Sequence, residues 1–491
     1  MLASCSAITA CSYPAAPSEQ VWTPPGIALR EDGWLCGELH AHSDYSHDGE
    51  DTVAAVVGLA ASLGASPVTT LLPEYVDDGL EFLALTDHRT IDGLADPGWT
   101  SDHLLLIGGQ EYGDTSRTGH GLAWGIDRLI VEDPGLDGVT AADVVASIAE
   151  VHAQGGAFGV AHPTLGDYPW GWDVRGADSI EVWNGGWSNE SPTMTSAELE
   201  GLLARGAEGS DALVHAVGLQ GAGGSMQALA MYEALLSEGV HLAITGGSDR
   251  HQLRAPGFPA THVRAHSDDV AGIVAGIRAR HTFVSRTPTS TQLLLEARVG
   301  GVEYGLGDRV PVPLGGAEVE LSLRVGRGLG GRALLISGGD ELPVGDMLER
   351  AELDELVQTY DERFTVSLWA EPGRWVYPMV WDPLFTPGLT EEESARVRAL
   401  AEATVGSRLE EESLLLWLAQ DLGGEGALDP ALCGPVGWSP GQLLCLPEDT
   451  RGVTLLVPDI YDRALNVITA EDAITEWTMG AIGSAVMFVE A

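Results

Sequence analysis

Gly37-Glu-Leu-His40-Ala-His42 completes an apolar run over residues 34–39, and three later segments repeat its design. Thr86-Asp87-His88 follows the run 82–85. Ala161-His162-Pro163 ends the run 158–161, and Gly247-Ser248-Asp249-Arg250-His251 follows 242–244. Each run reads as a β-strand, so imidazoles and carboxylates are delivered to the ends of successive strands. The C-terminal rim of a barrel is where such side chains converge. Histidine with Asp or Glu is a ligand set that suits Zn, Mn or Fe.

Working outward, residues 31–288 alternate apolar strands with helical segments at 52–63, 141–154, 196–205, 226–238 and 270–280, and end on a closing strand at 282–285. That alternation predicts an α/β fold, a parallel barrel. The polar Gly/Ser-rich stretch 188–224 predicts an inserted loop or lid. From 289 to 386 the pattern changes to period two, with runs at 292–299, 318–325, 333–337, 364–369 and 375–381. These predict a small β-sandwich. Residues 387–491 read as a C-terminal mixed helical region: an acidic helix over 390–422 opening on a Thr-Glu-Glu-Glu cap, then a Cys-containing loop and a mixed segment 453–491. No chemistry is assigned to this region.

The formal charge is −47, and all 25 basic residues are arginine. Such a field repels nucleic-acid backbones, so DNA or RNA is not an expected partner, while a small-molecule substrate, a phosphate included, stays open because bound metals dominate the local charge. No run of ~20 apolar residues is present, so no transmembrane helix is expected. Residues 1–30 read as leader and linker. Leu2-Ala-Ser-Cys5 and Ile8-Thr-Ala-Cys11 each match a bacterial lipoprotein box, but neither leaves room upstream for a charged region and full apolar core. The expectation is an exported, lipid-anchored envelope protein with a start upstream of Met1; chance matches would leave it cytoplasmic. Cys433 and Cys445 could form a disulfide, and Cys36 reads as a core residue. The oligomeric state is not legible.

Taken in order, Gly37-Glu-Leu-His40-Ala-His42, Ser46-His-Asp48-Gly49, Leu85-Thr-Asp87-His88, Gly109-Gln-Glu111, Gly119-His120, Ala161-His162-Pro163 and Gly247-Ser-Asp249-Arg-His251 resemble the PHP (polymerase and histidinol phosphatase) metallohydrolases. Gly-Glu-Leu-His, Ile180-Glu-Val-Trp-Asn184 and the β-rich extension resemble its CehA/McbA-like branch. Any one His-x-His is common by chance; this series in order is not.

The resemblance implies a distorted seven-stranded barrel and a hydrolase that uses metal-bound hydroxide at a site of two or three divalent metals (Zn, Mn or Fe). His40, His42, Glu111 and Asp249 would hold the first metal. Glu111 would bridge to a second held by His120 and His162, and Asp48, His88 and His251 would hold a third, with His47 able to replace Asp48. Glu111, Asp249 and His251 are the implied catalytic set, and Asp87 and Glu181 would orient imidazoles.

Arg89, Arg117, Arg250 and Arg254 flank ligand motifs. With Trp183 they form the expected substrate-binding set, pairing with local carboxylates being the alternative for the arginines and core packing for Trp183. The arginines favour phosphoester hydrolysis. Trp170, Trp172, Trp183 and Trp187 favour a carbamate, amide or ester instead. A non-catalytic cell-surface metal-binding scaffold is the reading from another class. His103, His152, His215, His241, His262, His266 and His281 match no motif and read as structural.

Overall fold

The apolar runs that precede each ligand motif form buried strands, and the segments of helical period between them form helices. The computed structural model describes residues 33–65, 79–113, 119–131, 140–165, 170–185, 224–251, 256–288, 290–326, 328, 331–339, 350–359, 361–381, 443–445, 454–456 and 479–491. The expected N-terminal leader, the helix at 196–205, nearly all of the lid, the acidic helix at 390–422, and Cys433 lie outside the described residues.

The first half runs β1 (Trp34–Glu38), α1 (Val53–Ala65), β2 (Phe82–Leu85), β3 (Leu105–Tyr112), β4 (Gly121–Trp124), α2 (Ala141–Ala153), β5 (Ala157–Val160), β6 (Ser179–Asn184), α3 (Gly224–Ser237), β7 (Ala243–Gly247), β8 (Ala260–Arg264), α4 (Val270–Arg278) and β9 (Thr282–Ser285). α2 starts on a capping box between Thr140 and Asp143, and α4 on the Asp269 side chain, which accepts from the Gly272 N–H.

The strands hydrogen-bond in the order β9-β8-β1-β2-β3-β4-β5-β6-β7. β1, β2 and β3 are mutually parallel, as are β5, β6 and β7. The sheet is nevertheless mixed rather than wholly parallel. β4 is antiparallel to both neighbours, and β8 is antiparallel to β1 and β9. For β4 the reason is length. Residues 113–120 join it to β3, whereas a parallel crossover needs about a dozen or more. The terminal strand β7 meets β8 and β9 through threonines: Gly246 N–H donates to Thr261 Oγ1 (2.9 Å), and Thr282 Oγ1 donates to Ile244 O (2.7 Å).

The period-two runs form β10 (Gln292–Val299), β11 (Val302–Gly305), β12 (Arg309–Val312), β13 (Ala317–Gly326), β14 (Arg332–Gly338), β15 (Ala351–Leu356), β16 (Asp361–Ala370) and β17 (Trp375–Trp381). β18 (Leu443–Cys445) pairs only with β19 (Thr454–Leu456), and β20 (Met479–Gly483) and β21 (Val486–Glu490) follow. One layer of this half is the separate sheet β11-β10-β13-β16. The other, β12-β21-β17 with β14 beside β17 and β15 beside β14, continues through β20 into β9. Two layers therefore exist, but one is continuous with the site-bearing sheet.

Both faces of β17 are consequently buried, which explains its unbroken apolar run. Trp375, Tyr377 and Met379 pack with Leu229, Tyr232 and Leu236 of α3, while Val376 and Val380 pack with Leu293, Leu295 and Leu321 of the separate sheet. β20 and β21 take the place that local pattern left unassigned. Their side chains are short apolar sets whose partners lie far away in sequence. No described helix is long and apolar enough to cross a membrane.

Candidate metal centre

Five imidazoles surround one carboxylate. Glu111, near the end of β3, is fully buried. Its Oε2 lies 3.0 Å from His42 Nε2, 3.2 Å from His40 Nε2 and 3.3 Å from His88 Nδ1. Its Oε1 lies 2.6 Å from His120 Nδ1 and 3.2 Å from His162 Nε2. The two oxygens thus face different imidazole sets, as a bridging carboxylate requires. Asp249 closes the first set, with Oδ1 at 3.3 Å from His40 Nε2 and 3.4 Å from His42 Nε2.

An outer group adjoins this inner one. Asp48 Oδ2 lies 3.5 Å from His88 Nε2 and 3.4 Å from His251 Nε2. His47 Nδ1 is 3.6 Å from Asp48 Oδ1, on an exposed side chain. Among the described residues, four sets offer ligand atoms within 4.8 Å of one another: His40, His42, Glu111 and Asp249; His42, His88 and His251; His88, Glu111 and His120; and His47, Asp48 and His88.

The hydrogen bonds behind the rings fix their tautomers. Glu181 Oε1, an acceptor, takes the His40 Nδ1 proton at 3.0 Å. Ser46 Oγ donates to Asp87 Oδ1 at 3.2 Å, so it accepts from His42 Nδ1 at 2.9 Å. The His251 Nδ1 proton goes to the Asp249 carbonyl at 3.1 Å. In each neutral ring Nε2 is then a bare lone pair facing carboxylate oxygen. Buried His42 Nε2, His88 Nδ1 and His251 Nε2 have no hydrogen-bond partner. A lone pair 3.0–3.4 Å from an anionic oxygen is repulsive unless a proton or a cation lies between them. The donor set fits divalent cations on that ground.

Titration behaviour carries the same signature. Burial alone would raise the Glu111 carboxyl, but His88, His120 and His40 outweigh it and hold it well below the carboxylate range. Asp249 and Asp48 are lowered likewise, burial being overcome by His40 and His42 in one case and by His251 and His88 in the other. Burial would lower His42, yet contacts with Asp249 and Glu111 raise it to about 9. His40 and His162 are raised too, against burial, while burial wins at His88 and lowers it. A divalent cation bound here would displace protons from the raised imidazoles His40, His42 and His162.

The backbone is strained here. Asp249 (φ 48°), His162 (φ 22°) and Arg89 (φ 53°) occupy left-handed conformations that side chains rarely adopt. Such strain persists only where surrounding contacts hold it. Glu181 Oε2 accepts from His162 N–H (2.9 Å) and from Asn184 Nδ2 (2.9 Å), which also donates to Asp249 Oδ2 (3.2 Å). Glu38 accepts from the N–H groups of His40 (2.7 Å), Ser248 (3.1 Å) and Gly257 (2.6 Å). Burial pushes its carboxyl up to about 7 despite those donors.

All nine expected ligands, His40, His42, Asp48, His88, Glu111, His120, His162, Asp249 and His251, meet in this cluster. Glu181 orients His40 directly. Asp87 acts through serines: it accepts from Ser43 N–H (2.6 Å), Ser43 Oγ (2.8 Å) and Ser46 Oγ. The expected substrate set fares differently. Arg250 is 2% exposed and ion-paired with Asp51, so its guanidinium is not presented to solvent. Trp183 packs in the hydrophobic core with Trp170 and Trp172. Arg89 donates its backbone N–H to the Glu111 carbonyl (2.9 Å). Arg117, Arg254 and Trp187 lie outside the described residues.

Motif reading passed over Glu38, Ser46, Asn184 and Asp51. Three of them sit inside the quoted motifs, where a carboxylate, hydroxyl or amide beside a ligand was the available signal. Of the unmatched histidines, His152 pairs with Asp178, His262 with Ser285, His281 with Asp308 and His241 with the Ala485 carbonyl, all away from the cluster.

No protein-family model matches the chain, and no curated protein matches it. Among solved structures it is similar to the crystal structure of a two-domain protein containing a predicted PHP-like metal-dependent phosphoesterase from Bacteroides vulgatus. The identity is 18% and the TM-score 0.31, covering 74% of this chain and 95% of that one.

Proposed function

We propose that the chain is a metal-dependent hydrolase of the PHP type, with β1–β9 as its distorted barrel, acting on a phosphoester at a di- or trinuclear centre. The observation that carries this is Glu111, whose two oxygens face two separate imidazole sets. His40, His42, Asp249 and Glu111 Oε2 would hold one ion, and Glu111 Oε1, His120 and His162 a second. Asp48, His88 and His251 would hold a third. Bound divalent ions, whether Zn, Mn or Fe, supply acidity to a coordinated water and neutralise charge on the attacked and leaving oxygens.

The chain's own residues prepare that chemistry. Glu181, Ser46 and the Asp249 carbonyl hold protons on the Nδ1 atoms of His40, His42 and His251, keeping the opposite nitrogens free as donors. Burial of Glu111, His40 and His42 excludes bulk water from the inner ligands and strengthens every charge interaction there. Room for several cations suits a phosphoryl group, whose charge is spread over several oxygens. The carbamate alternative rests on the branch resemblance, and of the tryptophans that favour it Trp170, Trp172 and Trp183 are committed to the core.

The test is hydrolysis of a chromogenic phosphodiester, a phosphomonoester and an aryl carbamate by protein loaded with Mn²⁺ or Zn²⁺. Phosphate-ester turnover that a chelator abolishes is the expected result. Carbamate turnover alone would move the activity to that class, and metal binding without turnover of any substrate would favour the scaffold reading.

A further inference from the structure

We infer that the Asp51–Arg250 ion pair, buried on its arginine side, is a latch that assembles the outer ligands Asp48 and His251, making Asp51 and Arg250 positioning residues for an outer metal ion. This rests on the proposed function and assigns Arg250 a role other than substrate contact.

Arg250 stands between two ligands, Asp249 and His251, while Asp51 lies three residues beyond Asp48. The latch therefore joins the segment after β1 to the segment after β7. Backbone contacts run alongside it. His42 N–H donates to the Arg250 carbonyl (2.9 Å), Glu50 N–H to the His251 carbonyl (3.1 Å), and Asp44 N–H to the Asp51 carbonyl (2.7 Å). With the two segments side by side, Asp48 Oδ2 reaches 3.4 Å from His251 Nε2.

Neither outer ligand is enclosed by packing, although the His251 ring stacks on that of His42 with centroids 4.1 Å apart. The Asp48 side chain is 42% exposed and that of His251 25%, against 1% or less for Glu111, His40 and His42. Their mutual placement therefore depends on what joins their backbones. The inner ligands have other anchors: Glu38 on Ser248 and Gly257, and Glu181 with Asn184 on His40, His162 and Asp249.

The chemistry of the pair suits a latch. A guanidinium removed from water needs a carboxylate, and losing one partner strands the other. That makes the paired arrangement much preferred over alternatives in which the two segments drift apart.

The experiment compares the native chain, Arg250→Ala, Asp51→Asn, Arg250→Lys and the swap Asp51→Arg/Arg250→Asp, each loaded with Zn²⁺. Metal content per chain is read by mass spectrometry, and affinity by chelator competition. The native chain should hold one more ion than Arg250→Ala or Asp51→Asn, or hold its weakest ion roughly 10–100-fold more tightly. The swap should restore part of the loss, which a merely structural defect would not. Asp51 is the more exposed partner, so Asp51→Asn keeps the test decisive where Arg250→Ala misfolds. Arg250→Lys, which keeps the charge, should retain more of the affinity than Arg250→Ala; a folded Asp51→Asn with native metal content and affinity overturns the inference. A native chain that binds no Zn²⁺ instead overturns the proposed function.

Discussion

Replacing Glu111 with glutamine preserves shape and removes one buried charge from the middle of five imidazoles. In the native chain Oε2 serves His40, His42 and His88, while Oε1 serves His120 and His162. Glutamine can present an oxygen to one set only. Its amide nitrogen must face the other, where it offers no lone pair to a cation. Removing one partner from a buried charged contact costs about 3–5 kcal/mol. At 1.36 kcal/mol per tenfold, that is roughly two to four orders of magnitude in affinity for the ions Glu111 shares. Chelator competition with Zn²⁺ reads that loss directly, with far-ultraviolet circular dichroism of the metal-free form as the control for folding. Phosphoesterase turnover should fall in parallel. A folded Glu111→Gln chain that binds its full complement within tenfold of native affinity would refute the bridging role.

Four further outcomes follow from the sequence and the structure. Phe488 is fully buried in the core between the two layers of the second half, so Phe488→Ala should destabilise the chain by about 3–5 kcal/mol. Because β20 joins β17 to β9, denaturant unfolding of the metal-binding and second halves should shift together; two separate transitions would contradict the continuous sheet. Burial lowers His241 from 6.5 to about 3 in the folded chain. Its folded pKa lies below the unfolded one, so its contribution is complete above pH 6.5 and is lost as pH falls towards 3. Relative to His241→Gln, the native chain should lose about 1.4 kcal/mol between pH 7.5 and 5.5, and parallel stability curves would refute this. The −47 charge makes self-repulsion a standing cost. The midpoint of thermal unfolding should therefore rise between about 0.05 and 0.5 M NaCl, and a fall would show that specific ion pairs dominate instead.

Local chemistry made much of this legible. A buried strand needs an apolar run, and a ligand must project from its end, so residues 34–42, 82–88, 158–163 and 242–251 carry both signals within ten residues. Helices α2 and α4 announce themselves by period and cap in the same way. The reversed sense of β4 was legible in principle from the shortness of 113–120. The insertion of β20 beside β9 was not, because its pairing with Thr282–Ser285 is set by tertiary contact rather than by anything in Met479–Gly483. The tryptophans show the same limit. Trp170, Trp172 and Trp183 look alike as pocket linings or as core, and only the packing of α3 and β17 decides.

Arg250 is the sharper case. An arginine beside a ligand motif suggests anion binding only if no nearer carboxylate claims it. Here 72 acidic residues stand against 25 arginines, nearly three carboxylates for each guanidinium. The carboxylate that claims Arg250 is 199 residues away in sequence, delivered by the ligand loop after β1. The organisation that brings Asp48 to His251 thus also brings Asp51 to Arg250. In a chain this acidic, an arginine flanking a ligand is better read first as a tie between the loops that build the site, and as a substrate contact only when its guanidinium is left facing the cluster.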